Sequence, residues 1–311
     1  MLSFHDHRGS AMKTSDQMRP SSRRAASGAW NRLKPVREDA LDIYGLPSKG
    51  ETRLNDFKNQ EAYYNRIVER YMKFCASSSN GDDLARQFAA LLPHDFFLGA
   101  SDAKPPPISQ PSNHPVGELS AIIAALRRLR EAITATARKD QFAMRAYIFN
   151  IHAAILCRDW ESYSPALVSL LGVVHPQNPL SEQALHEYVG YMILDLACRQ
   201  GDIEAAHRIR LRYQYKDRRV ELVLKALVAD NWVIFWKMKK AVDGYQRRLM
   251  EFTELRMRIH ALKCLGVGYL SADRMWVEAC ADRNWADLIK DGVGWELTEF
   301  DRVIIKRPKA K

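Results

Sequence analysis

The side chains best placed for chemistry are cations near the C-terminus. Arg302, Lys306, Arg307, Lys309 and Lys311 close the chain, and Arg256, Arg258 and Lys263 lie upstream in an apolar-periodic stretch. A secondary group, Arg210, Arg212, Lys216, Arg218 and Arg219, is interleaved with Tyr213 and Tyr215 in "RLRYQYKDRR" (210–219). Cations alternating with aromatic rings suit single-stranded nucleic acid, whose phosphates take the charge and whose bases stack. Cations without rings suit phosphate backbones, with affinity that falls as salt rises. The competing reading of 210–219 is a solvated helix surface.

Other chemistry finds little support. The nine histidines are scattered, His186-Glu187 lacks a second His at metal-binding spacing, and no two cysteines form CxxC. "GVGY" (266–269) has Gly-x-Gly without a third Gly and follows a helical pattern rather than a strand. Cys264 and Cys280 read as buried structural thiols, and His152 and His260 as satisfied core histidines. Trp232 and Trp236 stand one helical turn apart with Phe235 beside them, which favours core packing over a base-stacking platform. The same reading extends to Trp160, Trp276 and Trp285, so Trp285→Ala is expected to cost on the order of 3–5 kcal/mol. The sequence therefore calls for no catalytic residue, metal or cofactor, and the expectation is a protein that is not an enzyme.

The totals agree with a binding role. The chain has 311 residues, 47% hydrophobic, with a net charge of +10. That charge sits at the ends: residues 1–36 hold seven Lys/Arg against two Asp, and residues 301–311 hold five against one. Such ends can meet phosphate, stay solvated, or act as a nuclear-import signal. Five unpaired-looking cysteines suggest a reducing compartment, nuclear or cytoplasmic, not secreted. Residues 1–30 lack the apolar run of a signal peptide, and no stretch has the roughly 18 apolar residues of a membrane span.

These candidates need elements to hold them. Residues 1–35, rich in Ser, Arg and Gly, read as a disordered basic N-terminus. A helical region is expected over 36–98, strongest at 54–76, where Phe57, Tyr64, Ile67, Tyr71 and Phe74 recur at helical intervals, with a short helix at "DDLARQFAALL". Five prolines make 99–117 a linker. The stretch 118–250 reads as a body of helical hairpins. Phe142, Ala146, Phe149, Ala153 and Leu156 form one stripe, and Tyr147, Ile148, Ile151 and Ile155 cover another side, so that helix is sandwiched. Ser181 is a candidate N-cap, with Leu180 and Leu185 at staple spacing. "CRDWESY", "RQGDIEAA" and "ADNWVIFW" each place Asp or Asn before a large apolar residue (Trp160, Ile203, Trp232), the mark of a degenerate helix–turn–helix repeat, an α-solenoid. Over 251–305 three helices are expected, the second capped by Ser271 and the third ended by Gly292 and Gly294 at positive φ. Two strands follow, with Trp295/Leu297 and Val303/Ile305 each sharing a face across the turn "TEFD". The fold class is thus mainly α: an α-solenoid followed by a winged helix, with 306–311 as a basic tail.

"RVELVLKALVADNWVIFWKMKKA", "ELRMRIHALKCLGVGYLS" and "WADLIKDGVGWELTEFDRVIIKR", with the upstream "YIFNIHAAILCRDWESYSPAL" and "HEYVGYMILDLACRQGD", together resemble the PCI domain over about residues 130–311. That module is shared by the proteasome lid, the signalosome and translation initiation factor three. The likeness is greatest to the branch of small subunits joined with the GANP-type mRNA-export scaffolds, although the large scaffold regions of the export proteins are absent. The resemblance implies a non-catalytic scaffold subunit whose partners are other PCI-type or scaffold subunits, with RNA or DNA as a further partner class and no membrane. Complexes for mRNA processing or export, proteasome-lid assembly or translation initiation are the settings it implies.

Overall fold

The structure, a computed structural model, describes residues 39–77 and 115–306. The chain divides into residues 1–39 and 40–311, and every element below belongs to the second unit. The basic N-terminus, the "DDLARQFAALL" segment, the linker up to residue 114, and Arg307, Lys309 and Lys311 lie outside the described residues.

The described residues are mainly helical. Residues 40–46 form turns rather than the expected helix, and short 3-10 turns follow at Pro47–Lys49 and Arg53–Asn55. Pro47 has no amide to donate, and Gly50 ends the first of these turns at φ 93°. Helix α1 (Phe57–Ser77) buries Gln60, Tyr63, Ile67 and Phe74. Tyr64 and Tyr71 are only half-buried and Phe57 is exposed, so the buried line is rotated from the expected one. Helix α2 (Pro115–Ala135) packs on α1. Arg70 pairs with Glu118 at 2.5 Å, and Gln60 Nε2 donates to the Leu54 carbonyl at 2.9 Å and to Thr136 Oγ1 at 3.2 Å. The helix before the proline-rich stretch therefore shares one core with the helices after it.

The body continues through α3 (Gln141–Leu156), α4 (Trp160–Ser169), α5 (Glu182–Leu194), α6 (Ile203–Arg212), α7 (Arg218–Val228), α8 (Trp232–Ala241) and α9 (Gly244–Met250). In α3 the Asp140 carboxylate accepts from the Ala143 amide, and apolar side chains on more than one face are buried. Ser181 caps α5 by accepting from Ala184, with Leu180 buried beside the cap. Helix α7 buries Val220, Val223, Leu224 and Leu227 at i, i+3, i+4 and i+7, leaving Arg218, Arg219 and Lys225 outside.

Three helix junctions share one backbone geometry. Arg158, Gly201 and Asp230 take left-handed φ of 55°, 71° and 47°. Asp159, Asn231 and Asp202 follow with nearly equal φ/ψ, −81°/86°, −83°/87° and −89°/81°. In each case the next amide (Trp160, Ile203, Trp232) lies 3.1–3.2 Å from the carbonyl of the left-handed residue. This is an inverse γ-turn placed directly after a helix end. Asp202 and Asn231 also cap with their side chains, accepting from Ala205 and Ile234, whereas Asp159 makes no such bond. The polar residue before the large apolar one is the N-cap at all three.

A buried carboxylate ties two of these helices together. Asp195 lies in a π turn (Asp195–Arg199) that continues α5. It accepts from Tyr163 Oη at 2.6 Å, from Arg199 at 2.6 and 2.8 Å and from Gln200 at 2.8 Å. A buried charge persists only when so fully bonded.

The chain ends in a small module: α10 (Glu254–Gly268), β1 (Ser271–Asp273), α11 (Arg274–Ala281), α12 (Trp285–Lys290), β2 (Glu296–Leu297) and β3 (Arg302–Ile304). The sheet is antiparallel in the order β1-β3-β2, with Ala272 opposite Val303 and Leu297 opposite Val303 on the other side. Strand β1 corrects the expectation for 271–281. Ser271 begins a strand, and the cap of α11 is Asp273, which accepts from the Met275 amide at 3.0 Å. Gly292 takes the positive φ that ends α12, while Gly294 does not. Among the described residues no helix is long and apolar enough to cross a membrane.

Candidate interaction surface of the C-terminal module

The module has its own core. Leu265, Ala272, Val277, Cys280, Ala281, Leu288 and Val303 are buried together, with Trp285, Trp295 and Ile305 packed at the edge. Trp232 touches both this core and the larger one. The junction is polar as well as apolar. Trp236 Nε1 donates to the Cys280 carbonyl at 2.9 Å, and Arg258 Nε donates to the Ala281 carbonyl at 2.9 Å. Asp282, left-handed at φ 48°, pairs with Lys239 at 2.9 Å, and Lys239 also pairs with Glu254 at 2.6 Å. The last carbonyls of a helix lack intrahelical partners and favour nearby cations. The C-terminal end of α11 is thus the point that α8, from the body, and α10, within the module, both hold.

This arrangement reassigns Arg258. It is buried and forms part of the junction, its Nε held by the Ala281 carbonyl. Its neighbour Arg256 is exposed but pairs with Asp230 and bonds Thr253 Oγ1, each at 3.3 Å. Lys263, Arg302 and Lys306 are exposed and form no ion pair with a described residue.

The 210–219 segment is also not a stacking surface. Tyr215 is buried, its ring stacked on His186 at 4.2 Å, and its hydroxyl lies over Gly190. Tyr213 is half-buried against the main core, with Arg212 5.5 Å above its ring. Arg210 pairs with Glu221 at 3.4 Å, and Arg219 pairs with Asp217 at 3.2 Å. Lys216 and Arg218 are exposed, and the Lys216 carbonyl lies 3.3 Å from His186 Nε2.

The tryptophans divide. Phe235 and Trp236 are core, as expected, but Trp160 and Trp276 are 43% and 40% exposed. Trp160 opens its helix and lies under the Arg199 guanidinium at 4.8 Å instead of entering the core. Trp276 sits outside the buried Val277/Cys280/Ala281 line and meets Tyr269 edge-on at 4.9 Å. Trp285 is half-buried, so its removal costs less than the full-burial figure. The two singled-out histidines are half-buried rather than enclosed. His152 lies 3.1 Å from Glu187 and stacks on Tyr245, and His260 lies 3.4 Å from Cys264 Sγ. Among the other thiols, burial pushes Cys198 up to about 12, which leaves it protonated at neutral pH. Gly266 and Gly268 belong to the last turn of α10, not to a loop.

No family model matches the sequence, and no curated protein matches it.

What the sequence left unread is a set of exposed apolar side chains on the module. Val267, Tyr269, Leu270, Met275, Trp276 and Phe300 are all exposed, Met275 by 71% and Phe300 by 89%. The turn carrying Phe300 is fixed against the start of α11. The Arg274 amide donates to the Asp301 carbonyl at 3.0 Å, and the Arg274 guanidinium pairs with the Asp301 carboxylate at 3.1 Å. Thr298 closes the same turn, its amide donating to the Arg302 carbonyl at 2.8 Å. The signal was present as large apolar residues at irregular spacing near a turn, but spacing alone does not tell an exposed ring from a buried one.

Proposed function

We propose that this chain is a non-catalytic scaffold subunit of the PCI type, docking into a multi-protein complex through a C-terminal winged helix carried on an α-solenoid body. The observation that carries the reading is the set of exposed apolar side chains Tyr269, Leu270, Met275, Trp276 and Phe300 on the module, Tyr269 meeting Trp276 edge-on and the Phe300 turn tied to the start of α11 by the Arg274–Asp301 contacts. Exposed apolar clusters of this kind are characteristic of protein partner sites. The order helix, strand, helix, helix, strand, strand, with β3 between β1 and β2, supports the winged-helix reading. The repeated γ-turn junctions support the reading of the body as degenerate helical hairpins. The resemblance over residues 130–311 supplies the class of partner: other PCI-type subunits, in mRNA processing or export or in a related lid, signalosome or initiation-factor assembly in the nucleus or cytoplasm.

The test is gentle affinity purification of the full chain from its native cell. A stoichiometric complex is expected, and Met275→Glu/Phe300→Glu should release the partners while leaving the melting temperature of the isolated protein unchanged. A lone monomer in the lysate, or a complex indifferent to that pair of changes, overturns the reading.

A further inference from the structure

We propose that the helical body carries a phosphate-binding face for the backbone of duplex nucleic acid, formed where the α6–α7 connection meets the C-terminal end of α8. Two contacts assemble it. Arg219 Nη1 donates to the Ala241 carbonyl at 3.3 Å, and Arg247 Nε donates to the Lys239 carbonyl at 3.2 Å. These bring residues 216–219, the end of α8 and helix α9 side by side, across separations of 22 and 8 residues. Lys216, Arg218, Arg219, Lys237, Lys240 and Arg247 are all exposed there. Lys237 and Lys240 stand one turn apart on the same side of α8.

The acidic groups nearby are already engaged. Asp217 is held by Arg219, Asp243 caps α9 by accepting from Gln246 at 2.8 Å, and Asp282 is held by Lys239. Lys240 reaches Asp282 only at 3.7 Å with its side chain 75% exposed. Lys216, Arg218 and Lys237 have no ion-pair partner among the described residues. Arg247 spends its Nε on the helix end and keeps the rest of its fork toward solvent, a pre-oriented donor for phosphate oxygens.

The same geometry selects the class of nucleic acid. Base stacking needs exposed rings, and here Tyr215 is buried and Tyr213 is half-buried against the core. What remains is charge carried on helices α7, α8 and α9 and on the α6–α7 connection, which contacts backbone phosphates without reading bases. A duplex offers the denser array of phosphates. This inference is independent of the docking reading, because it uses none of the C-terminal surface.

The test uses the full chain and a DNA duplex of about 20 base pairs, against one of its strands, titrated at several salt concentrations. Duplex binding is expected to exceed single-strand binding, with log K linear in log salt. Lys237→Gln/Lys240→Gln should reduce the slope by about 2, and adding Lys216→Gln/Arg218→Gln should reduce it by about 4, at about 0.9 per phosphate. Lys237→Arg/Lys240→Arg should leave the slope unchanged. If the fourfold variant loses thermal stability, the twofold variant decides. Absence of salt-dependent duplex binding overturns the proposal. So does a slope unchanged in the twofold variant, a slope lost instead in Lys263→Gln/Lys306→Gln, or preference for the single strand.

Discussion

At the scale of single residues, Gly190 and Tyr215 form a matched pair. A Cβ on Gly190 would lie 2.6 Å from the Tyr215 hydroxyl, while that hydroxyl is buried without a hydrogen-bond partner among the described residues. Tyr215 cannot easily move, because its ring is stacked on His186. Gly190→Ala is therefore expected to destabilise by about 1–3 kcal/mol through overpacking. Tyr215→Phe alone should be neutral or slightly stabilising, since it removes an unsatisfied buried oxygen. The double variant should recover much of the loss, as the nearest ring atom then lies at 3.2 Å. Urea denaturation of the three variants checks this, and additive effects would show the two sites to be uncoupled. Arg138 illustrates a different use of one side chain. It pairs with Glu61 at 2.5 Å and Asp140 at 2.8 Å, between the rings of Phe57 and Phe142 at 4.3 and 4.1 Å. It thereby joins α1 to the α2–α3 turn. Sequence periodicity could not place it, because a buried arginine is a rare outcome that depends on its partners.

At the scale of elements, the C-terminal end of α11 is where the module is held, by α10 within it and by α8 from the body. Arg258→Met keeps much of the side-chain volume but leaves the Ala281 carbonyl without its donor. The expected cost is about 1.5–3 kcal/mol. Hydrogen exchange should rise across 271–305 while α3 and α5 keep their protection. Were Arg258 a nucleic-acid contact, the same change would weaken binding and leave exchange alone. The legibility of this region was uneven. The helices, the Gly292 stop and the turn before β3 were readable, because capping, glycine conformation and alternation act locally. Strand β1 was not, since three residues carry too little pattern and the strand exists only because β3 pairs with it. Likewise the exposure of Trp276 depends on the helix's rotation against the sheet, which no single residue encodes.

At the scale of the whole molecule, stability is tied to carboxylates held charged. The hydrogen bond from His152 lowers Glu187 below the usual carboxylate range, with burial opposing it and Tyr191 adding to it. Burial alone would raise Asp140 and Asp217, but hydrogen bonds from Arg138 and the Ala143 amide, and from Arg219, outweigh it and lower both. A group lowered on folding stabilises the fold fully above its unfolded value, about 4 for Asp and Glu. That stabilisation is lost as pH falls through the lowered value. The melting temperature should therefore fall below about pH 4, and Glu187→Gln should make that acid limb shallower. An acid limb unchanged by the substitution would remove Glu187 from this account.

The sequence by itself determined that the described chain is mainly helical, where the three γ-turn junctions fall and that Ser181 is a cap, because periodicity and N-cap preference are local properties, whereas the cap expected at Ser271 lies at Asp273. It located the cations but not their availability. Only the tertiary structure buried Arg258 against a helix end, buried Tyr215 and half-covered Tyr213, and exposed Trp276 and Phe300. It also brought Lys237, Lys240 and Arg247 beside residues 216–219. The reason is physical: whether a charge is free or a ring is covered depends on groups distant in sequence, and these meet only when the helices pack.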